Sequence, residues 1–327
     1  MHKQHYLELD ICKGIAISFV LLSHSFIHYP IELCEIDWCR YCLDVIATFF
    51  LPLFFVVSGF LFALSKYSNY KSHLQKKTIR LFYPYLAYGI LNIIIKVVFP
   101  NLVNRKVDSI GSYLNDFIFY GGELWFVYVL LIIFIYLPPI LKLLQNRKKI
   151  VCLFITLILL WQFIPGDFFN GIFLYPQVIK YSLYFSVGYY ISNNIRDILR
   201  CKYSIVLLSI SFFVFNILFV ERLQFNIVII DFVLACIGIF LFWSLSFRIE
   251  KYIYLKRYLT FVGKSSLAFY FFNGFALVPS RIIVVKLLSI TNPVFIVPIV
   301  FILCMICCSI AVCIVKRFPL ITKFVGL

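Results

Sequence analysis

Mostly apolar stretches, each about as long as a helix that crosses a bilayer, recur ten times along this chain. They cover residues 11–28, 43–65, 81–99, 123–141, 150–164, 172–192, 203–220, 226–247, 265–285 and 292–315, and the fifth is the shortest. A helix rises 1.5 Å per residue, so about 20 apolar residues are needed to span the hydrocarbon core. Composition agrees: 63% of the 327 residues are hydrophobic and 13% are charged, whereas soluble domains are about 45–50% apolar and about 25% charged. A soluble fold of this size leaves roughly a quarter of its unfolded-chain surface in water and could not hide so much apolar area. Soluble enzymes, disordered regulators and small secreted scaffolds are excluded. The expectation is an all-α, polytopic integral protein of the cell membrane with about ten transmembrane helices.

Charge orients those helices. The net charge of +16 arises from 30 Lys and Arg against 14 Asp and Glu. Such a balance in a soluble protein suggests nucleic acid, but the basic residues here cluster between the apolar runs, as the positive-inside rule requires. With the N-terminus in the cytoplasm, segments 66–80, 142–149, 196–202, 248–264 and 316–323, together with Lys3 and Lys13, place 22 basic residues inside, against five outside. Both termini are therefore expected in the cytoplasm, and nucleic acid is not expected as a partner. No loop exceeds about two dozen residues, so residues 1–327 read as a single transmembrane domain with no appended soluble domain. The first run carries Lys13 and His24 and lacks a small-residue cleavage pattern, so it is expected to stay as a helix.

Of 11 cysteines, eight lie in or beside the runs, where they fit as small apolar packing groups. Cys34, Cys39 and Cys42 share the first outer loop and allow one disulfide among them. Cys304 and Cys307 spell C-x-x-C, but without His or acidic partners this is weak support for a metal site. No metal or prosthetic group is expected.

Ionisable side chains inside apolar runs are costly, which makes them the informative residues. Lys13 and His24 lie on the first run eleven residues apart, which is about 16 Å along a helix and nearly the same face. One stripe thus carries a cation at the cytoplasmic boundary and an imidazole past the midplane. Lys13 also fits snorkelling, and His24 also fits a structural hydrogen bond to a neighbouring helix. Glu123 opens the fourth run, while Lys96, Lys180, Asp231 and Arg281 fall in the middle or outer parts of theirs. Asn92 and Asn273 are candidates to join them. Lys180 and Asp231 fit a neutralising pair, and Lys96 and Arg281 fit snorkelling to the outer boundary. Together these residues suggest a polar cavity opening outward with His24 at its floor.

Lys76, Lys77 and Arg80 precede the third run, level with Lys13. Cations at that depth suit a polyphosphate such as coenzyme A, although orientation alone explains most of the cluster. A phosphate-bearing donor entering from the cytoplasm would meet, near His24, a hydroxyl-bearing acceptor from outside. A near-neutral imidazole suits a general base when a second group holds its tautomer, and Glu123 is the best-placed carboxylate for that task.

At these residues the chain resembles the acyltransferase-3 family of integral membrane acyltransferases, including its sugar O-acetyltransferases. Asp10-x-x-Lys13-Gly14-Ile15 followed by His24 resembles the family's basic residue, ten intervening positions and His. Phe55-Val56-Val57-Ser58-Gly59-Phe60-Leu61 resembles its second-helix Ser-Gly segment, and Lys77-x-x-Arg80 with Pro84 and Tyr85 its Arg-x-x-Arg. Glu123-Leu124-Trp125-Phe126 resembles its Leu-Trp-Phe segment, and Gly263-Lys264-Ser265-Ser266-Leu267 with Tyr270 its penultimate-helix motif. Two departures stand out. Lys77 replaces the usual first Arg, keeping charge but losing the bidentate fork, and Asn273 stands where His is usual. The resemblance implies ten or eleven spans, a cytosolic acyl-CoA donor and modification of a glycan outside.

The expectation is an O-acetyltransferase that moves an acetyl or other small acyl group from acetyl-CoA or another acyl-CoA to a cell-surface glycan or lipid-linked sugar. His24 would act as base or acyl-transfer residue with Glu123 in support. Lys13 and Arg80 would hold the coenzyme phosphates, with Lys77 a weaker addition. The rival is a transporter or flippase for a polysaccharide or lipid-linked sugar using the same intramembrane charges. The Lys13-to-His24 spacing favours the enzyme, because transport has no special need for an imidazole above a cytosolic cation. A membrane-embedded sensor has no supporting feature beyond the spans.

Overall fold

The computed structural model describes residues 6–26, 33–65, 70–98, 109–144, 146–166, 168–191, 195–219 and 227–327, and every regular element among them is helical. Each of the ten apolar runs contains a helix. Eight segments among the described residues are long and apolar enough to cross a bilayer, so the protein is a multi-pass membrane protein.

The chain opens with α1 (Leu7–Phe26), then α2 (Asp37–Ala47), α3 (Phe50–Leu64) and α4 (Tyr70–Val98). The second run, expected as one helix, is broken at Thr48 and Phe49. Pro52 explains the break, because its ring clashes with the carbonyl four residues back and it has no N–H to donate. The third run, expected from residue 81, belongs to a helix that begins at Tyr70. Arg80 therefore lies within α4 rather than at its start. Pro84 sits inside the same helix and cannot donate to the Arg80 carbonyl.

Next come α5 (Ile110–Phe119), which the apolar runs do not anticipate, α6 (Trp125–Leu143), α7 (Arg147–Phe163) and α8 (Tyr175–Tyr190). The last two have 17 and 16 residues, so the ten expected spans resolve into eight of full length and two shorter helices. Pro165 ends α7, holding Ile164 extended at φ −81° and ψ 119°. The remainder is α9 (Ile195–Arg200), α10 (Lys202–Phe219), α11 (Val228–Ile249), α12 (Ile253–Lys264), α13 (Ser266–Arg281), α14 (Pro293–Val315) and α15 (Pro319–Thr322). A π-helical turn, Ile282–Leu287, follows α13.

α1 forms the centre. It packs against α3, α11, α12, α13 and α14, and Leu9, Ile11, Cys12, Ala16, Ile17 and Leu21 are sealed from the surface. The lipid-facing helix α10 instead exposes Val206, Leu207, Ile210, Phe213 and Ile217. Burial in lipid gives no hydrophobic drive between helices, so close packing of small residues has to supply it. α3 and α8 show this reciprocally. A Cβ on Gly59 would lie 1.9 Å from the Phe185 carbonyl oxygen, and one on Gly188 would lie 1.9 Å from that of Val56. Ser58-Gly59 of the resembled motif is thus, in part, a backbone contact.

No disulfide joins Cys34, Cys39 and Cys42, so the one considered among them is not formed. Cys39 is buried in the core, while Cys34 donates to the Phe26 carbonyl at 3.6 Å.

Candidate active site

Two cavities lie on either side of the start of α6. The first, about 110 Å³, is lined by Lys13 from α1, Ser58 and Phe54 from α3, Lys77 and Arg80 from α4, Phe126 and Phe134 from α6, and Ser266 and Tyr270 from α13. The three cations expected to hold the coenzyme, Lys13, Lys77 and Arg80, therefore share one wall. Lys13 pairs with Asp10 at 2.6 Å, and the Lys77 ammonium stands 4.1 Å over the Phe134 ring. The rest of this basic cavity is apolar, formed by Ile17, Val20, Leu51, Val127, Leu130 and Leu267 among others.

The Lys13 segment is held by α12. A Cβ on Gly263 would fall 1.8 Å from the Asp10 carbonyl oxygen and 2.8 Å from the Gly14 amide nitrogen. Two segments that resemble family motifs, far apart in sequence, thus meet backbone to backbone, and the contact fixes the height of Lys13. Ser265, at the junction of α12 and α13, accepts from Lys316 at 3.0 Å.

The second cavity, about 500 Å³, is lined by His24, Tyr88, Asn92, Lys96, Glu123, Trp125, Tyr270 and Asn273, with Val278, Pro279 and Ile282 closing one side. His24 and Glu123, well separated in the sequence, share this wall. Glu123 sits in a 3₁₀ turn, Gly122–Leu124, that follows Gly121 in the left-handed region at φ 74°. A side chain there would also press on the Trp125 Cα at 2.9 Å. This turn aims the Glu123 carboxylate at α4, where it pairs with Lys96 at 2.7 Å and accepts from the Tyr88 hydroxyl at 2.7 Å. Lys96 is only 8% exposed. The snorkelling expectation for it fails because a carboxylate lies within reach at its own depth. Tyr113 of α5 braces the same group, donating to the Gly89 carbonyl at 2.9 Å and accepting from Asn92 at 3.4 Å.

His24 lies in the last turn of α1, where carbonyls have no partner further along the helix. Its main-chain oxygen accepts from the Arg281 guanidinium. Arg281 is 4% exposed, so it too is buried rather than snorkelling. Asn273 is buried in the same cavity and accepts from Cys304 at 3.6 Å.

The other expected pair is real but stands elsewhere. Lys180 and Asp231 meet at 2.8 Å, with the ammonium 4.7 Å over Trp161, and neither lines either cavity. The structure adds Tyr88 and Tyr270 and supplies the partners of Lys96 and Arg281, which are legible in the sequence only as intramembrane charges. The intramembrane charge of Lys96 and Arg281 was the available signal, but their partners lie on other helices and no local pattern names them.

Tyr270 joins the two halves. It is the one residue common to both linings among the described residues. Its hydroxyl donates to the Glu123 carbonyl at 3.3 Å, and its ring meets Phe126 edge-on at 5.7 Å.

A family model described as an acyltransferase domain, that of the acyltransferase-3 family, matches residues 6–317. No curated protein and no solved structure matches the chain.

Proposed function

The chain belongs to the acyltransferase-3 family, and from that premise we propose that it carries an acetyl or other small acyl group from cytosolic acyl-CoA, with acetyl-CoA the leading donor, to a hydroxyl of an extracytoplasmic cell-surface glycan or lipid-linked sugar. The observation that carries this reading is the segregation of chemistry. Three cations line one cavity, an imidazole and a carboxylate line the next, and a single tyrosine is common to both.

In this reading Lys13 and Arg80 hold the phosphates of the coenzyme. Arg80 offers the planar fork that suits phosphate oxygens, while Lys77 offers a point charge. The thioester end is directed toward Tyr270. The acceptor occupies the larger cavity, where Asn92, Asn273 and Tyr88 supply polar contacts for a sugar. His24 takes the proton of the acceptor hydroxyl as its oxygen attacks the thioester carbonyl. The new C–O bond forms, the C–S bond breaks, and the proton passes from His24 to the departing thiolate, releasing the coenzyme as its thiol. Glu123, paired with Lys96 and accepting from Tyr88, supports the positive charge that develops on the imidazole. The protein sits in the cell membrane with both termini cytoplasmic, which puts the basic cavity on the side where acyl-CoA is made.

Purified protein incubated with acetyl-CoA labelled in the acetyl group and with acceptor glycan tests the reading. Coenzyme-dependent label on the glycan supports it. Movement of glycan across a proteoliposome membrane without label would replace it with transport.

A further inference from the structure

We propose that Tyr270 is the partition between the two cavities and sets the size of the acyl group that passes from one to the other. The inference rests on the acyl-transfer reading for its substrate, but the partition itself is a statement about shape. The start of α6 supplies one side of it: Trp125 faces the larger cavity and Phe126 the smaller. Tyr270 supplies the other side, and among the described residues it alone lines both.

A 3.3 Å hydrogen bond to the Glu123 carbonyl, a backbone hydrogen bond at Phe126 and an edge contact to the Phe126 ring fix the Tyr270 ring, and it packs against the hydrophobic core. The basic cavity beneath it is narrow, about 110 Å³ and apolar near Tyr270, with Leu267 and Phe126 on its walls. A two-carbon acyl group can approach the septum there, while each added methylene must be fitted between the ring and Phe126. One methylene that misfits a pocket changes kcat/KM by roughly 10- to 200-fold.

The test has two arms. In the first, transfer from acetyl-, butyryl- and hexanoyl-CoA is compared for the wild type, Tyr270→Phe and Tyr270→Ala. Tyr270→Phe, which keeps the ring, is expected to preserve the preference for acetyl. Tyr270→Ala is expected to raise the hexanoyl-to-acetyl ratio of kcat/KM by about 10-fold or more. An unchanged ratio in Tyr270→Ala would overturn the filter.

The second arm needs no activity. Ser58→Cys, on the wall of the basic cavity, is placed in a cysteine-free background and treated with a membrane-impermeant methanethiosulfonate. From the side of the larger cavity, the reagent is expected to reach this thiol only when Tyr270→Ala is also present. From the opposite side it is expected to react in both backgrounds, which verifies folding. Equal labelling from both sides with Tyr270 intact would show that no partition exists. If no acyl-CoA supports transfer while labelling still follows Tyr270, the proposed activity falls and the partition stands.

Discussion

The guanidinium of Arg281 donates to the main-chain oxygen of His24 across 257 positions of sequence, tying the end of α13 to the end of α1. It satisfies a carbonyl that the terminating helix leaves open, and it does so from a buried position. The imidazole that faces the larger cavity is therefore held by its backbone.

Replacing Arg281 should act on the chemical step rather than on donor binding. Arg281→Met removes this donor to the His24 carbonyl and loosens the tie between α13 and the last turn of α1. A misplacement of the order of 1 Å at a reacting group costs roughly 10- to 100-fold in rate. Steady-state kinetics should show kcat falling by that amount with the KM for acetyl-CoA close to wild type. A change confined to KM would place Arg281 in donor binding instead.

The basic cavity should respond in the opposite way. Arg80→Glu reverses a charge where phosphate is proposed to sit, and a charged hydrogen bond contributes about 1.5–3 kcal/mol. The acetyl-CoA concentration needed for half-maximal rate should rise by about 10- to 100-fold. Lys77→Arg replaces a point charge with a planar fork suited to phosphate oxygens and should lower that requirement. An unchanged requirement in Arg80→Glu removes Arg80 from the donor site.

The contact between α3 and α8 gives a prediction about stability alone. Gly188→Ala puts a methyl group 1.9 Å from the Val56 carbonyl oxygen, and backbone cannot yield cheaply. Overpacking of this kind costs about 1–3 kcal/mol. Thermal unfolding in detergent should show a lowered Tm, and an unaltered Tm would mean that the helices do not approach so closely.

Lys180 and Asp231 stand apart from both cavities, so their role is to neutralise each other within the membrane. Asp231→Asn should lower the yield of folded protein by stranding the ammonium, since breaking a buried pair costs about 3–5 kcal/mol and this half-buried one less. The double variant Lys180→Met, Asp231→Leu should recover the yield, with activity per folded molecule near wild type. A double variant no better than the single would deny the pairing.

How much of this could be read from the sequence follows from what each feature depends on. The membrane class, the ten helical runs and the Lys13–His24 stripe depend on local pattern, and they were legible. Glu123, Arg80 and Lys77 drew notice because a charge in or beside an apolar run is conspicuous, but which cavity each one lines follows from the packing of the helices. The break at Thr48 was signalled by Pro52 but masked by the unbroken hydrophobicity around it. The extension of α4 to Tyr70 was hidden because Lys71 to Arg80 are polar and read as a loop. Lys96 with Glu123, and Arg281 with His24, are contacts between helices, so hydropathy gives each member and says nothing of its partner. Tyr270 was visible only as part of a motif. That it lines two cavities is a property of the packed bundle.

The central claim is that His24 carries the proton in acyl transfer between the two cavities. The most direct measurement is the transfer of labelled acetyl from acetyl-CoA to glycan by His24→Ala, in membranes where the variant is present at wild-type amount. Removal of a general base costs about 100- to 10,000-fold, so label on the glycan should fall to background while acetyl-CoA still binds. Transfer at the wild-type rate would contradict the account.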